Sequence, residues 1–137
     1  MIQRIQSVYL LLVVVAIVAF IFVPFGSVKM EDVQQVLTIK KVVPLTIASA
    51  VVGIVALVSI FLFNNRQLQM RIVLLNSFLS IVLIGLFIYG LLAHVGLDKY
   101  SFGAGAIFPV FIFIFNLLAY SAIKSDDKLV KSMDRLR

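Results

Sequence analysis

Polar and apolar residues are sorted into blocks along this chain. Long apolar runs extend from about Ser7 to Phe25, Pro44 to Phe63, Ile72 to Val95 and Ala104 to Ile123. Each approaches the roughly 20 residues that a helix needs to cross the hydrocarbon layer of a bilayer. Backbone groups in that layer must satisfy one another, which a helix does within a single segment. The pattern predicts an all-α fold: an integral membrane bundle of four antiparallel transmembrane helices over residues 1–123. A basic amphipathic cytoplasmic helix over residues 124–137 is expected to follow.

The polar blocks set the details. The start, Met1-Ile2-Gln3-Arg4-Ile5-Gln6, is positive and leads into the first apolar run, as a signal peptide would. That run exceeds the usual signal core of roughly 7–15 residues. Its exit, Val23-Pro24-Phe25-Gly26-Ser27, also lacks an alanine-type cleavage site, so a retained first helix ending near Pro24 is expected. The longest loop runs from Ser27 to Val43. There Val33, Val36, Leu37 and Lys40 recur at helical spacing, which fits either a short surface helix or a solvated connector. Pro44 suits a first helical position, where its missing N–H has no partner to lose. Thr46, Ser49, Gly53 and Ala56 form a stripe of small residues, read as a packing face with a pore lining as the alternative.

Asn64 to Arg71 is short and polar, so it predicts a tight connection between the second and third helices. Gly96 to Gly103 reads as a second polar turn. Pro109 either starts the regular part of the fourth helix or bends it. In the tail, Ser125 is placed to cap a new helix with Asp126 and Asp127 in its first turn. Leu129, Met133 and Leu136 would give that helix an apolar side, and Asp127 and Lys131 can pair at i, i+4. The alternative is a solvated flexible tail.

Composition strengthens the membrane reading. Hydrophobic residues make up 63% and charged residues 13%, against roughly 25% charged in soluble domains. There is no cysteine, which excludes disulfides, thiolate metal sites and thiol redox chemistry. His94 is the single histidine, so one chain cannot build a multi-histidine metal site. The net charge of +6 flanks the apolar runs and points to topology and lipid contact rather than to nucleic acid.

Four spans place both ends and the Asn64–Arg71 turn on one side, with Arg4, Arg66, Arg71, Lys124, Lys128, Lys131, Arg135 and Arg137. The other side has Lys29, Lys40, Lys41 and Lys99. Lysine and arginine near span ends favour the cytoplasm, so both termini are expected there.

The start Met1-Ile2-Gln3-Arg4-Ile5-Gln6 with Tyr9-Leu10 resembles a family of small four-span membrane proteins of Bacteroidota, domain-of-unknown-function family 4293. Asn65-Arg66-Gln67-Leu68-Gln69 resembles its central turn. Ala122-Ile123-Lys124, Asp126, Leu129-Val130-Lys131-Ser132 and Asp134-Arg135-Leu136-Arg137 resemble its tail, although Ser125 stands where a basic residue is more usual. The resemblance spans the chain and implies fold, topology and a bacterial inner-membrane location. It implies no catalytic or binding residue.

Candidate chemistry is sparse. Asn76 and Asn116 lie at similar depth in the third and fourth helices, with Ser80 and Tyr120 one turn along from each. They are expected to be interhelical polar contacts, with a polar binding site as the alternative. A cytoplasmic interaction surface is expected from Arg4, Arg66, Arg71, Lys128, Lys131, Arg135 and Arg137. Gln3, Gln6 and Arg4 read either as caps of helix ends or as contacts to the Asn64–Arg71 turn and the tail, with Arg4 as a topology anchor the alternative. His94 and Asp98 read either as an interfacial pair without function or as a pH-sensitive one. No acid or base lies in the middle of a span, where ion-coupled transport usually needs one.

These features predict a non-catalytic membrane protein without cofactor, acting as an accessory or scaffolding subunit. Its expected partners are the bilayer, anionic lipids at the cytoplasmic face and a membrane or cytoplasmic protein. The alternative is a small homo-oligomeric transporter or channel.

Overall fold

A computed structural model describes residues 3–30, 33–94 and 100–134. The order is α1 (Gln3–Phe22), β1 (Gly26–Met30), β2 (Val33–Leu37), α2 (Val43–Phe61), α3 (Arg66–His94), β3 (Tyr100–Phe102) and α4 (Phe108–Asp134). Short 3₁₀ turns at Ile39–Lys41 and Ala104–Ile107 lead into α2 and α4. All four α-helices are long and apolar enough to cross a membrane. α1 packs against α2 and α4, and α3 packs against the same two.

The helix boundaries depart from the apolar runs. Pro44 lies in the first turn of α2, as its chemistry favours, and Pro109 opens α4 rather than bending it. The stretch Asn64–Arg71, however, is only in part a connection. Asn65 caps α3: its Oδ1 accepts the Leu68 N–H at 3.2 Å, and its carbonyl accepts the Gln69 N–H at 2.9 Å. Arg66 to Arg71 therefore form the first turns of α3, and Leu62 to Asn65 make the turn.

The expected new helix at Ser125 does not exist. α4 runs unbroken through Ser125 to Asp134, because no glycine or proline interrupts it there.

The larger correction is at the other end. The helical spacing of Val33, Val36 and Leu37 misleads, because these residues lie in a strand. β1 pairs antiparallel with β2, from Gly26↔Leu37 to Met30↔Val33, and with β3, from Gly26↔Phe102 to Val28↔Tyr100. The expected polar turn before the fourth helix thus contributes a strand. The sheet order is β2-β1-β3. The proposed His94–Asp98 pair lies outside the described residues.

This sheet caps one end of the bundle. Phe25 and Val28 join Phe20, Phe87, Leu91 and Tyr100 in one buried cluster. Phe25 meets Phe87 edge-on, with ring centroids 5.3 Å apart. Backbones approach closely here: a Cβ on Gly105 would lie 2.7 Å from the carbonyl oxygens of both Val23 and Pro24. The Gly103 N–H donates to the Phe25 carbonyl at 2.9 Å and the Gly105 N–H to the Pro24 carbonyl at 3.1 Å.

The small-residue stripe of α2 faces inward. Ser49 and Ala56 are fully buried, and a Cβ on Gly53 would touch Ile17 of α1 at 3.6 Å. Outward faces are apolar instead: Leu11, Val15, Ile54, Leu75, Phe78 and Val82 are all exposed. Such a belt suits lipid and would be a liability in water.

Candidate functional site: a layered polar end of the bundle

Away from the sheet, polar and apolar layers alternate. The inner polar layer joins α3 to α4. Asn76 Nδ2 donates to Asn116 Oδ1 at 3.0 Å, and Asn116 Nδ2 donates to Ser80 Oγ at 2.9 Å. Ser80 Oγ in turn donates to the Asn76 carbonyl at 2.8 Å. The circuit closes on itself, and Asn76, Ser80 and Asn116 are all fully buried. Ser77 donates to the Val73 carbonyl at 3.0 Å beside it.

Three of the four expected contact residues thus come together, and Tyr120 does not join them. It packs against the next layer, where Leu10, Val73, Ala119 and Ile123 form an apolar cluster. Lys124 Nζ stands 5.9 Å from the centre of its ring.

Beyond that cluster lies a second polar layer, of which the sequence pattern pointed to Gln6 but not to Gln69 or Asp126. Gln6 is one turn before Leu10, Gln69 one turn before Val73, and Asp126 three residues past Ile123. All three side chains are buried. Gln69 Nε2 donates to the Ser59 carbonyl of α2 at 2.9 Å. Arg66 Nη1 lies 3.4 Å from Asp126 Oδ2, linking the start of α3 to α4. Helical bookkeeping holds the missing signal: Gln69 precedes Asn76 by two turns on one face, and Asp126 follows Ala119 likewise.

The chemistry here is structural in character. The Ser80 proton is committed to a carbonyl, so this hydroxyl has no base to activate it. Among the described residues no group of three or more His, Cys, Asp or Glu side chains could hold a metal. Gln6 Oε1, Gln69 Oε1 and Asn76 Oδ1 are buried acceptors with no donor among the described residues.

Of the expected surface residues, Arg71, Lys128 and Lys131 are exposed, and Lys131 Nζ pairs with Asp127 at 2.6 Å. Arg66 instead turns toward Asp126. The side chains of Arg4, Arg135 and Arg137 lie outside the described residues. A hollow of about 320 Å³ between α3 and α4 is lined by Gln67, Met70, Arg71, Leu74, Tyr120 and Lys131. A larger cavity of about 420 Å³ sits at the opposite end, between the sheet and α2 and α3, with a mainly apolar lining that includes Phe25, Leu45, Leu86 and Leu91.

The model of a protein family described as a domain of unknown function, DUF4293, matches residues 2–136. The chain belongs to this family. The match takes in the start, the central turn and most of the tail, the segments that carried the resemblance. No curated protein and no solved structure matches the chain. The family description attaches no activity, so function must be argued from the layered end itself.

Proposed function

We propose that this chain is a non-catalytic multi-pass protein of the bacterial inner membrane, acting as an accessory or scaffolding subunit. In this reading its four spans are antiparallel, both termini are cytoplasmic, and the layered polar end is the cytoplasmic end. The observation that carries the reading is the closed Asn76–Asn116–Ser80 circuit. It uses the intramembrane polar groups to join helices, while Arg71, Lys128 and Lys131 stay exposed. Groups that hold helices together support a scaffold, and exposed basic groups near span ends support cytoplasmic placement.

Mild crosslinking and co-purification test the role. Full-length protein should recover a partner, and a variant with Lys128, Lys131 and Arg135 changed to glutamine should lose it. Full-length protein emerging with no partner would overturn the role. Reporter fusions after Lys99 and after Arg137 test the orientation: a cytoplasmic signal at Lys99 would reverse it.

A second reading, a small homo-oligomeric transporter or channel, draws on the buried acceptors Gln69 Oε1 and Asn76 Oδ1 that lack donors. Solute flux into liposomes that Asn116→Leu abolishes would favour it.

A further inference from the structure

The hollow between α3 and α4 has a lining of unusual make-up for a membrane helix pair. On α3, Gln67, Met70, Arg71 and Leu74 recur at i, i+3, i+4 and i+7, so they form one stripe. Tyr120 and Lys131 of α4 face that stripe, with Lys124 over the Tyr120 ring. Cationic and amide groups therefore gather toward the end of the bundle, and the hollow becomes apolar toward its middle. The apolar track continues past it, because Phe78 of α3 and Leu117 of α4, each about one turn further in, are both exposed.

We propose that this hollow binds the phosphodiester headgroup of an anionic phospholipid, with Arg71 and Lys131 as its charge partners and an acyl chain along Leu74 and Phe78. Arginine matches phosphate oxygens in a planar fork, and lysine adds a mobile point charge. Basic pockets between membrane helices suit such headgroups. Arg71 is exposed and makes no ion pair among the described residues. Lys131 is shared with Asp127, which makes Asp127 an internal competitor for the phosphate. The site shares Lys131 with the surface of the proposed scaffold role, but it needs a bilayer and no protein partner, so Arg71→Gln should lose lipid without losing a partner.

Native mass spectrometry of the purified full-length protein in a neutral detergent tests this. Phosphatidylglycerol, phosphatidylcholine and inorganic phosphate are each titrated. Phosphatidylglycerol should bind more tightly than phosphatidylcholine. Arg71→Gln should weaken it about fivefold, and Arg71→Gln with Lys131→Gln more strongly still. Lys40→Gln, exposed at the sheet end and far from the hollow, should leave binding unchanged.

Asp127→Asn should tighten binding by releasing Lys131, a gain that a purely structural role for Asp127 does not give. If the double variant fails to fold by circular dichroism, Leu74→Trp carries the test. It fills the hollow without touching a charge and should also weaken phosphatidylglycerol. Equal binding of the two lipids, or equal loss in Lys40→Gln, would overturn the proposal. Displacement of phosphatidylglycerol by an equal concentration of inorganic phosphate would show a free-phosphate site instead and overturn the lipid assignment.

Discussion

The two ends of this bundle are closed by different means. At the sheet end the closing groups are backbone: three strands, and the N–H groups of Gly103 and Gly105 on the carbonyls of Phe25 and Pro24. At the layered end they are side chains: Asn76 to Asn116, Gln69 to the Ser59 carbonyl, and Arg66 beside Asp126. Backbone closure tolerates little local change, because a carbonyl oxygen cannot step aside as a side chain can. Side-chain closure is built from contacts that each contribute modestly, typically about 0.6–2 kcal/mol between membrane helices. The sheet end should therefore be the brittle one and the layered end the adjustable one.

The sharpest way to break this contrast is Gly105→Ala. The new Cβ would sit 2.7 Å from two backbone carbonyl oxygens, so α4 or the exit of α1 must move. A loss of about 3 kcal/mol is expected, read as reduced resistance to unfolding in detergent. Gly85→Ala is the matched control, since a Cβ there meets nothing within 4 Å. It should be neutral or stabilise α3 by about 0.5 kcal/mol. If the two variants behave alike, the sheet end is not brittle.

At the layered end, Asn116→Leu removes both amide contacts with α3 at once. It leaves the Asn76 amide buried, so about 2 kcal/mol should be lost. A double-mutant cycle with Asn76→Leu should return a coupling near 1 kcal/mol; additive losses would mean that the amides do not act together. Asp126→Asn should cost less, about 1 kcal/mol, because Arg66 keeps some access to water. That loss should shrink at high salt.

These two ends also differ in how legible they were. Four helices long and apolar enough to cross a membrane, and the depth match of Asn76 with Asn116, could be read directly, because apolar run length and position along a helix are local properties. Helix ends could not, because apolarity reports the thickness of the hydrocarbon, whereas α3 begins at Arg66 and α4 continues to Asp134 in polar sequence. The sheet was hidden for another reason. Val33, Val36 and Leu37 fit a helical period in a segment too short to separate the periods, and β3 comes from a distant part of the chain. Gln69 and Asp126 fell in stretches read as a turn and a tail. Their burial follows only once those stretches are helical and packed.

A comparably small effect is expected at the sheet end, at Tyr100. Its hydroxyl donates to the Phe25 carbonyl, inside the buried cluster. Burial pushes its pKa above the ordinary tyrosine value of 10.0, since a phenolate there would be stripped of its hydration. The unfolded chain then loses this proton at lower pH than the folded one. The contribution is fully present below the unfolded pKa and is lost as pH rises through the folded one. Tyr100→Phe should cost about 1 kcal/mol at neutral pH through the lost hydrogen bond. Above about pH 10 the gap between wild type and variant should narrow, because only the wild type carries this titration. Stability measured against pH for both proteins decides it. Parallel curves through that range would mean that the Tyr100 hydroxyl is open to water, and that the sheet does not seal this end of the bundle.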